Sequence, residues 1–179
     1  TGVQTCALPI STHLDPWNIA VTTPEATAEA ATVQIHANPT WTSAADREIQ
    51  FRITDAAGKQ VARMNLANTT NEISTSIRFA NPNLWTPETP NLYTLTTVLT
   101  EDGVVQDEIK TTFGVRTVEV VPGKGLMLNG KMVNMYGGCN HHDNGPLGAC
   151  AFPDAEERKV RILKEAGYNA IRTSHNPPS

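Results

Sequence analysis

YGGCNHHDNGPLGACAFPDAEERKVRILKEAGYNAIRTSHNPPS, residues 136–179, is the stretch that decides how this chain is read. Just before it, Asn129-Gly130 is a strong two-residue hairpin signal. KMVNMY (131–136) follows and predicts a strand, closed by Gly137-Gly138. Polar residues then crowd in: Asn140, His141, His142, Asp143 and Asn144. A helix comes next, with Asp154 as its cap and Glu157 three residues on completing a capping box. Ala155, Ile162, Leu163 and Ala166 fall on one face, with Glu156, Arg158, Lys159 and Lys164 largely elsewhere. Gly167 is a natural stop. Residues 168–171, YNAI, fit a short buried parallel strand, and Arg172, Thr173, Ser174, His175 and Asn176 end it.

A strand, a crossover helix and a second strand predict two parallel neighbours, roughly 5 Å apart. Their C-terminal ends then lie side by side, and both carry polar clusters. In α/β barrels that rim is where sites form. The spacing therefore predicts that NHHD (140–143) and RTSH (172–175) face one pocket.

These residues, with others upstream, resemble glycoside hydrolase family 2, the β-galactosidase and β-glucuronidase family. The matching pieces are FGVRTVEV (113–120), LNGK (128–131), GCNHHD (138–143) and NAIRTSHNP (169–177). NPNLWTPETPNLYTL (81–95) resembles the family's sandwich domain, and HLDPWNIAVTTP (13–24) its start. HHD followed by RTSHNP looks most like the β-galactosidase-type members. The implied fold is an all-β immunoglobulin-like sandwich over 11–121, followed over 122–179 by the first β-α-β unit of a (β/α)8 TIM barrel.

The resemblance also implies roles. Asp143 stands where the family hydrogen-bonds sugar hydroxyls. Arg172 matches an arginine that helps hold the nucleophilic carboxylate, and His175 a histidine that contacts the sugar. His141 and His142 lie in the same motif and are carried as further substrate-binding candidates. The implied parent is a retaining glycosidase acting on terminal β-galactosides, with a β-glucuronidase, a β-mannosidase or a non-catalytic carbohydrate-binding or spacer sandwich as alternatives. Its partner is a β-linked sugar. The resemblance leaves room for a divalent cation and a homo-oligomer in the full-length parent, and for a bacterial cytoplasm or periplasm.

Such enzymes need two carboxyl groups about 5 Å apart across the scissile bond. In the family both glutamates follow later barrel strands, so they are expected beyond Ser179. Glu156, Glu157 and Glu165 sit on the predicted helix, and Glu119 precedes the barrel. None is placed at a strand's C-terminal end, and the chain alone is expected to hydrolyse nothing. The same loop raises the question of zinc. Cys139-x-His141 and an isolated Cys150 do not match the paired ligand spacing of structural zinc sites, so no metal is assigned. Cys139 reads instead as a small apolar filler.

Upstream, residues 17–121 alternate with period two. Val33 and Ile35 alternate with Thr32, Gln34 and His36; Ile49, Phe51 and Ile53 with Gln50, Arg52 and Thr54. Ile77 and Phe79 bracket Arg78, and Tyr93, Leu95 and Leu99 follow one face. Turn signals at 55–58, 68–71 and 102–103 separate the runs. About seven strands follow from this pattern. Tyr93, after a proline-rich corner, is a candidate tyrosine corner. Trp41 and Trp85 read as core or junction residues rather than sugar platforms, and His36 has no role.

Residues 1–10, TGVQTCALPI, resemble the translation of a sequencing adapter and are expected to be an artefact on a fragment truncated at both ends. They lack the basic start and apolar run of a signal peptide. Setting Cys6 aside leaves Cys139 and Cys150, which give no disulfide framework. The net charge is −4 and no basic cluster is apparent in the sequence, which argues against nucleic acid. No apolar run approaches membrane length. About 60 barrel residues cannot close a domain of about 250, so this part is expected to be loosely held.

Overall fold

The computed structural model describes residues 11–42 and 46–175; the expectations for residues 1–10 and for Asn176 lie outside these. Seven strands come first: β1 (Ile19–Ala26), β2 (Ala30–Ala37), β3 (Arg47–Thr54), β4 (Gln60–Ala67), β5 (Ile73–Ala80), β6 (Tyr93–Glu101) and β7 (Val104–Phe113). They form one sheet in the order β1-β2-β5 and another in the order β4-β3-β6-β7. Every pairing in both sheets is antiparallel.

Alternation explains why these sheets stack. Val33, Ile35, Ile77 and Phe79 of the first sheet share one core with Ile49, Phe51, Ile53, Leu95 and Leu99 of the second. Burying each such side chain contributes about 1.5–3 kcal/mol, so this interior carries most of the chain's stability. Trp41 belongs to the same core, and its indole N–H donates to Thr70 O at 3.1 Å. Trp85 is half-buried with the Arg116 guanidinium over its ring at 4.8 Å. Neither is a bare sugar platform. Tyr93 is buried, and its hydroxyl accepts the backbone N–H of Asn83 at 2.8 Å, pinning the proline-rich corner. His36 faces away from the core, as its register requires.

Three short strands follow: β8 (Val118–Val121), β9 (Gly125–Leu128) and β10 (Lys131–Met132), arranged β10-β9-β8. Asn129 and Gly130 join the last two with φ of 49° and 73°, the positive pair that a type I′ hairpin needs. The expected hairpin is therefore present.

The chain divides into two compact units, residues to Val121 with Met127–Lys131, and Pro122–Leu126 with the residues from Met132 on. In the second unit β11 (Gly137–Asn140), α1 (Pro153–Glu165) and β12 (Ala170–Thr173) form a β-α-β arrangement, with β11 and β12 parallel neighbours. The first strand is not at 131–136 as expected; it begins where that strand was expected to end. Gly137 lies opposite Ala170, and a Cβ on it would stand 1.9 Å from the Ala170 carbonyl oxygen. Only glycine admits that approach, so the glycine pair opens the strand rather than closing it. The stretch before it is held by Asn169, whose Oδ1 accepts from Tyr136 N at 2.7 Å and whose Nδ2 donates to Asn134 O at 2.9 Å.

The helix also starts differently. Phe152 is its N-cap, Pro153 its first residue, and no side chain caps it. Proline suits that first position because its missing N–H has no partner there. Asp154 instead sits in the first turn, where a negative charge suits the helix dipole. The half-buried positions are Ala155, Glu156, Lys159 and Leu163, an i, i+4, i+8 stripe, while Ile162 and Ala166 are exposed. Among the described residues of this unit only Ser174 is buried. By burial this unit has no core of its own. No helix of the described residues is long and apolar enough to cross a membrane.

Candidate functional site

The parallel register sets Cys139 opposite Arg172 and Asn140 opposite Thr173. Just beyond, Ser174 N donates to Asn140 O at 3.3 Å. The rings of His141 and His175 then meet, with centroids 5.8 Å apart at 40°. Two polar clusters separated by about thirty residues of loop and helix are thus joined at their histidines. Adjacent parallel strands deliver whatever follows them to one edge, and that is the physical reason.

Asp143 is bonded within its own loop. Its N–H donates to His141 O at 2.8 Å, and its Oδ1 accepts from Gly145 N at 3.2 Å. These bonds keep the carboxylate on its own loop. There it lines a cleft with Leu147, Ala155, Arg158, Ile162 and Leu163. Asp143, His141, Arg172 and His175 are exposed, and His142 is half-buried.

The loop is braced from the helix. Asn144 Nδ2 donates to Glu156 Oε1 at 2.8 Å and to Cys150 O at 3.0 Å. Lys159 Nζ donates to Glu156 Oε1 at 3.1 Å and to His141 O at 3.1 Å. The Asn144 amide, then the Lys159 ammonium, hold the Glu156 carboxyl below the usual carboxylate range, and His142 adds to this. A Glu-x-x-Lys pair is a legible helix-surface signal. The sequence sets these two residues largely off the helix's apolar face and did not show that they anchor the loop bearing His141, His142 and Asp143.

Cys139 is not an apolar filler. It is exposed, and Arg172 Nη1 donates to its Sγ at 3.5 Å. The Ser174 hydroxyl is buried with no partner of ordinary hydrogen-bond geometry. Its proximity, then that of Arg172, holds the thiol below the usual thiol range. Strand register creates this grouping, so spacing along the chain carried no sign of it. Among the described residues no three His, Cys, Asp or Glu side chains converge to hold a metal.

The family model described as glycosyl hydrolases family 2 matches residues 12–116. This chain belongs to glycosyl hydrolases family 2. The family's β-glycosidase relatives extend the likeness beyond the sandwich. The β-galactosidase BoGH2A of Bacteroides ovatus is 34% identical over 174 residues, covering 93% of this chain and 20% of that protein. The crystal structure of a family 2 member from Bacteroides cellulosilyticus superposes with a TM-score of 0.88 at 39% identity, over 94% of this chain and 24% of that one. The structure of Bacteroides uniformis β-glucuronidase gives a TM-score of 0.84 at 26% identity, over 94% of this chain and 22% of that one. The chain thus spans about a fifth of the curated relative's length.

Proposed function

We propose that residues 11–121 are the sandwich domain, and residues 122–179 the opening β-α-β unit of the (β/α)8 barrel, of a retaining β-glycosidase that acts on terminal β-galactosides. The observation that carries this reading is the meeting of His141 and His175 at the joined ends of two parallel strands. In a barrel that edge is the rim where substrates sit. The name of the Bacteroides ovatus relative supports the galactoside. The Bacteroides uniformis enzyme supports a glucuronide as the alternative.

In this reading the chain holds sugar and leaves the bond-breaking groups to later strands. His175, His141 and His142 offer ring nitrogens to sugar hydroxyls. Asp143 accepts hydroxyl protons once it turns from its Gly145 bond. Arg172 offers guanidinium N–H groups to a carboxylate supplied from elsewhere on the rim, where charge-assisted bonds are strongest. A retaining mechanism then needs an acid and a nucleophile about 5 Å apart. The four glutamates from Glu119 on lie on β8 and α1 rather than on β11 or β12, and the other seven lie in the sandwich part of the chain.

The test is a paired assay on nitrophenyl β-galactoside, β-glucuronide and β-mannoside. The purified chain is expected to turn over none of them. A longer product of the same gene, extended past Ser179, is expected to prefer the galactoside and to lose about a hundredfold or more in kcat/KM with Asp143→Ala. Turnover by the chain alone, abolished by Asp143→Ala, would sink the reading.

A further inference from the structure

The outer face of the four-stranded sheet carries an arrangement that the barrel reading does not use. Register places Arg52 of β3 opposite Arg63 of β4 on one side and Thr96 of β6 on the other, and Thr96 opposite Lys110 of β7. One row across the sheet therefore reads Arg63, Arg52, Thr96, Lys110. Like charges placed directly opposite each other destabilise a sheet, yet the two arginines are direct neighbours. Relief is partial. Arg63 Nε donates to Asn65 Oδ1 at 3.1 Å, and Lys110 lies 3.5 Å from Glu108 in an exposed pair. Arg52 fares worst, because its Nε is buried with no hydrogen-bond partner.

That nitrogen belongs to a side chain lining an open cleft of about 600 Å³. Arg52, Lys110, Thr54, Thr94, Thr96 and Gln60 line it. Its one carboxylate, Asp55, is engaged by its own turn, accepting from Ala57 N at 3.0 Å and Lys59 N at 2.9 Å. No aromatic side chain is among the lining residues. The cleft thus offers two cations flanking a row of hydroxyls and an amide, without a stacking surface. Two strand spacings separate Arg52 from Lys110, roughly 10 Å, a span comparable with a disaccharide unit.

We propose that this cleft binds an acidic glycan, with Arg52 and Lys110 taking its sulfate or carboxylate groups and Thr54, Thr94 and Gln60 its hydroxyls. The inference is independent of the barrel reading, since it concerns the sandwich unit alone. A nucleic acid fits less well, because single strands are held by aromatic stacking as well as charge and the cleft has no aromatic side chain.

Isothermal titration of the whole chain tests it, using a chondroitin sulfate hexasaccharide, an oligogalacturonide hexasaccharide and a neutral β-galactan hexasaccharide. Saturable binding of at least one acidic probe is expected, weakening as salt rises, and the stronger of the two identifies sulfate or carboxylate. Arg52→Gln and Lys110→Gln should each weaken it by about tenfold. Arg78→Gln, on the other sheet, should leave it unchanged. Lys110 is exposed, so its variant keeps the test valid if Arg52→Gln fails to fold. The proposal is overturned if no acidic probe saturates, if the neutral glycan binds as well, if Arg78→Gln weakens binding equally, or if single-stranded DNA of matched charge binds as tightly.

Discussion

Tyr93→Phe is a direct test of how the sandwich is held. The hydroxyl accepts the Asn83 N–H at 2.8 Å in a partly buried setting. The ring packs against Phe79 at 5.4 Å and Phe113 at 6.0 Å between centroids. Phenylalanine keeps both ring contacts and removes only the oxygen. Losing one hydrogen bond costs about 1 kcal/mol, and leaving a buried donor unpaired costs about 1–3 kcal/mol. Asn83 is itself exposed, so water reaches part of the freed N–H and the sum falls toward the lower end. The expected loss is about 1–2 kcal/mol, which for a domain of this size lowers Tm by roughly 4–10 °C. Thermal unfolding followed by near-ultraviolet circular dichroism reads it, because the aromatic signal comes largely from this unit. Tyr93→Ala separates the two contributions, since it also removes the ring and should cost several kcal/mol more. If Tyr93→Phe melts within a degree of the parent while Tyr93→Ala is severely destabilised, the hydroxyl contributes nothing and the corner is held by packing alone.

Three further outcomes concern the second unit. Gly137→Ala should separate β11 from β12, because the new methyl cannot share space with the Ala170 carbonyl; hydrogen exchange at Ala170–Thr173 should quicken while the sandwich strands keep their rates. Arg172→Gln should raise the Cys139 thiol's pKa toward the ordinary range, since the guanidinium helps hold it down; in a Cys150→Ser background, iodoacetamide alkylation at neutral pH should slow and its pH profile move to higher pH. Glu156 is depressed in the folded chain, so its stabilising contribution is present above the ordinary carboxylate range and is lost as pH falls through its lowered value. An NMR titration should place its midpoint below that of a free glutamate, and Asn144→Ala should raise it.

Much of this chain was legible before folding. Alternation at Val33/Ile35, Ile49/Phe51/Ile53 and Tyr93/Leu95/Leu99 names the buried face of each strand, because a strand's side chains alternate strictly. Seven strands and two sheets follow. Asn129-Gly130 names its own turn, since few residue pairs adopt two successive positive φ values. A helix between two short apolar runs requires parallel neighbours, which brings His141 and His175 to one edge.

Tertiary structure decided what depends on a particular partner across space. The first parallel strand begins at Gly137 because the Ala170 carbonyl presses there, and nothing in residues 131–140 alone signals that neighbour. Cys139 gained Arg172, and Arg52 gained Arg63 and Thr96, through register. Local periodicity tells which face a side chain takes. It carries no information on which residue, tens of positions away, will stand opposite, because that is set by strand pairing across the whole sheet.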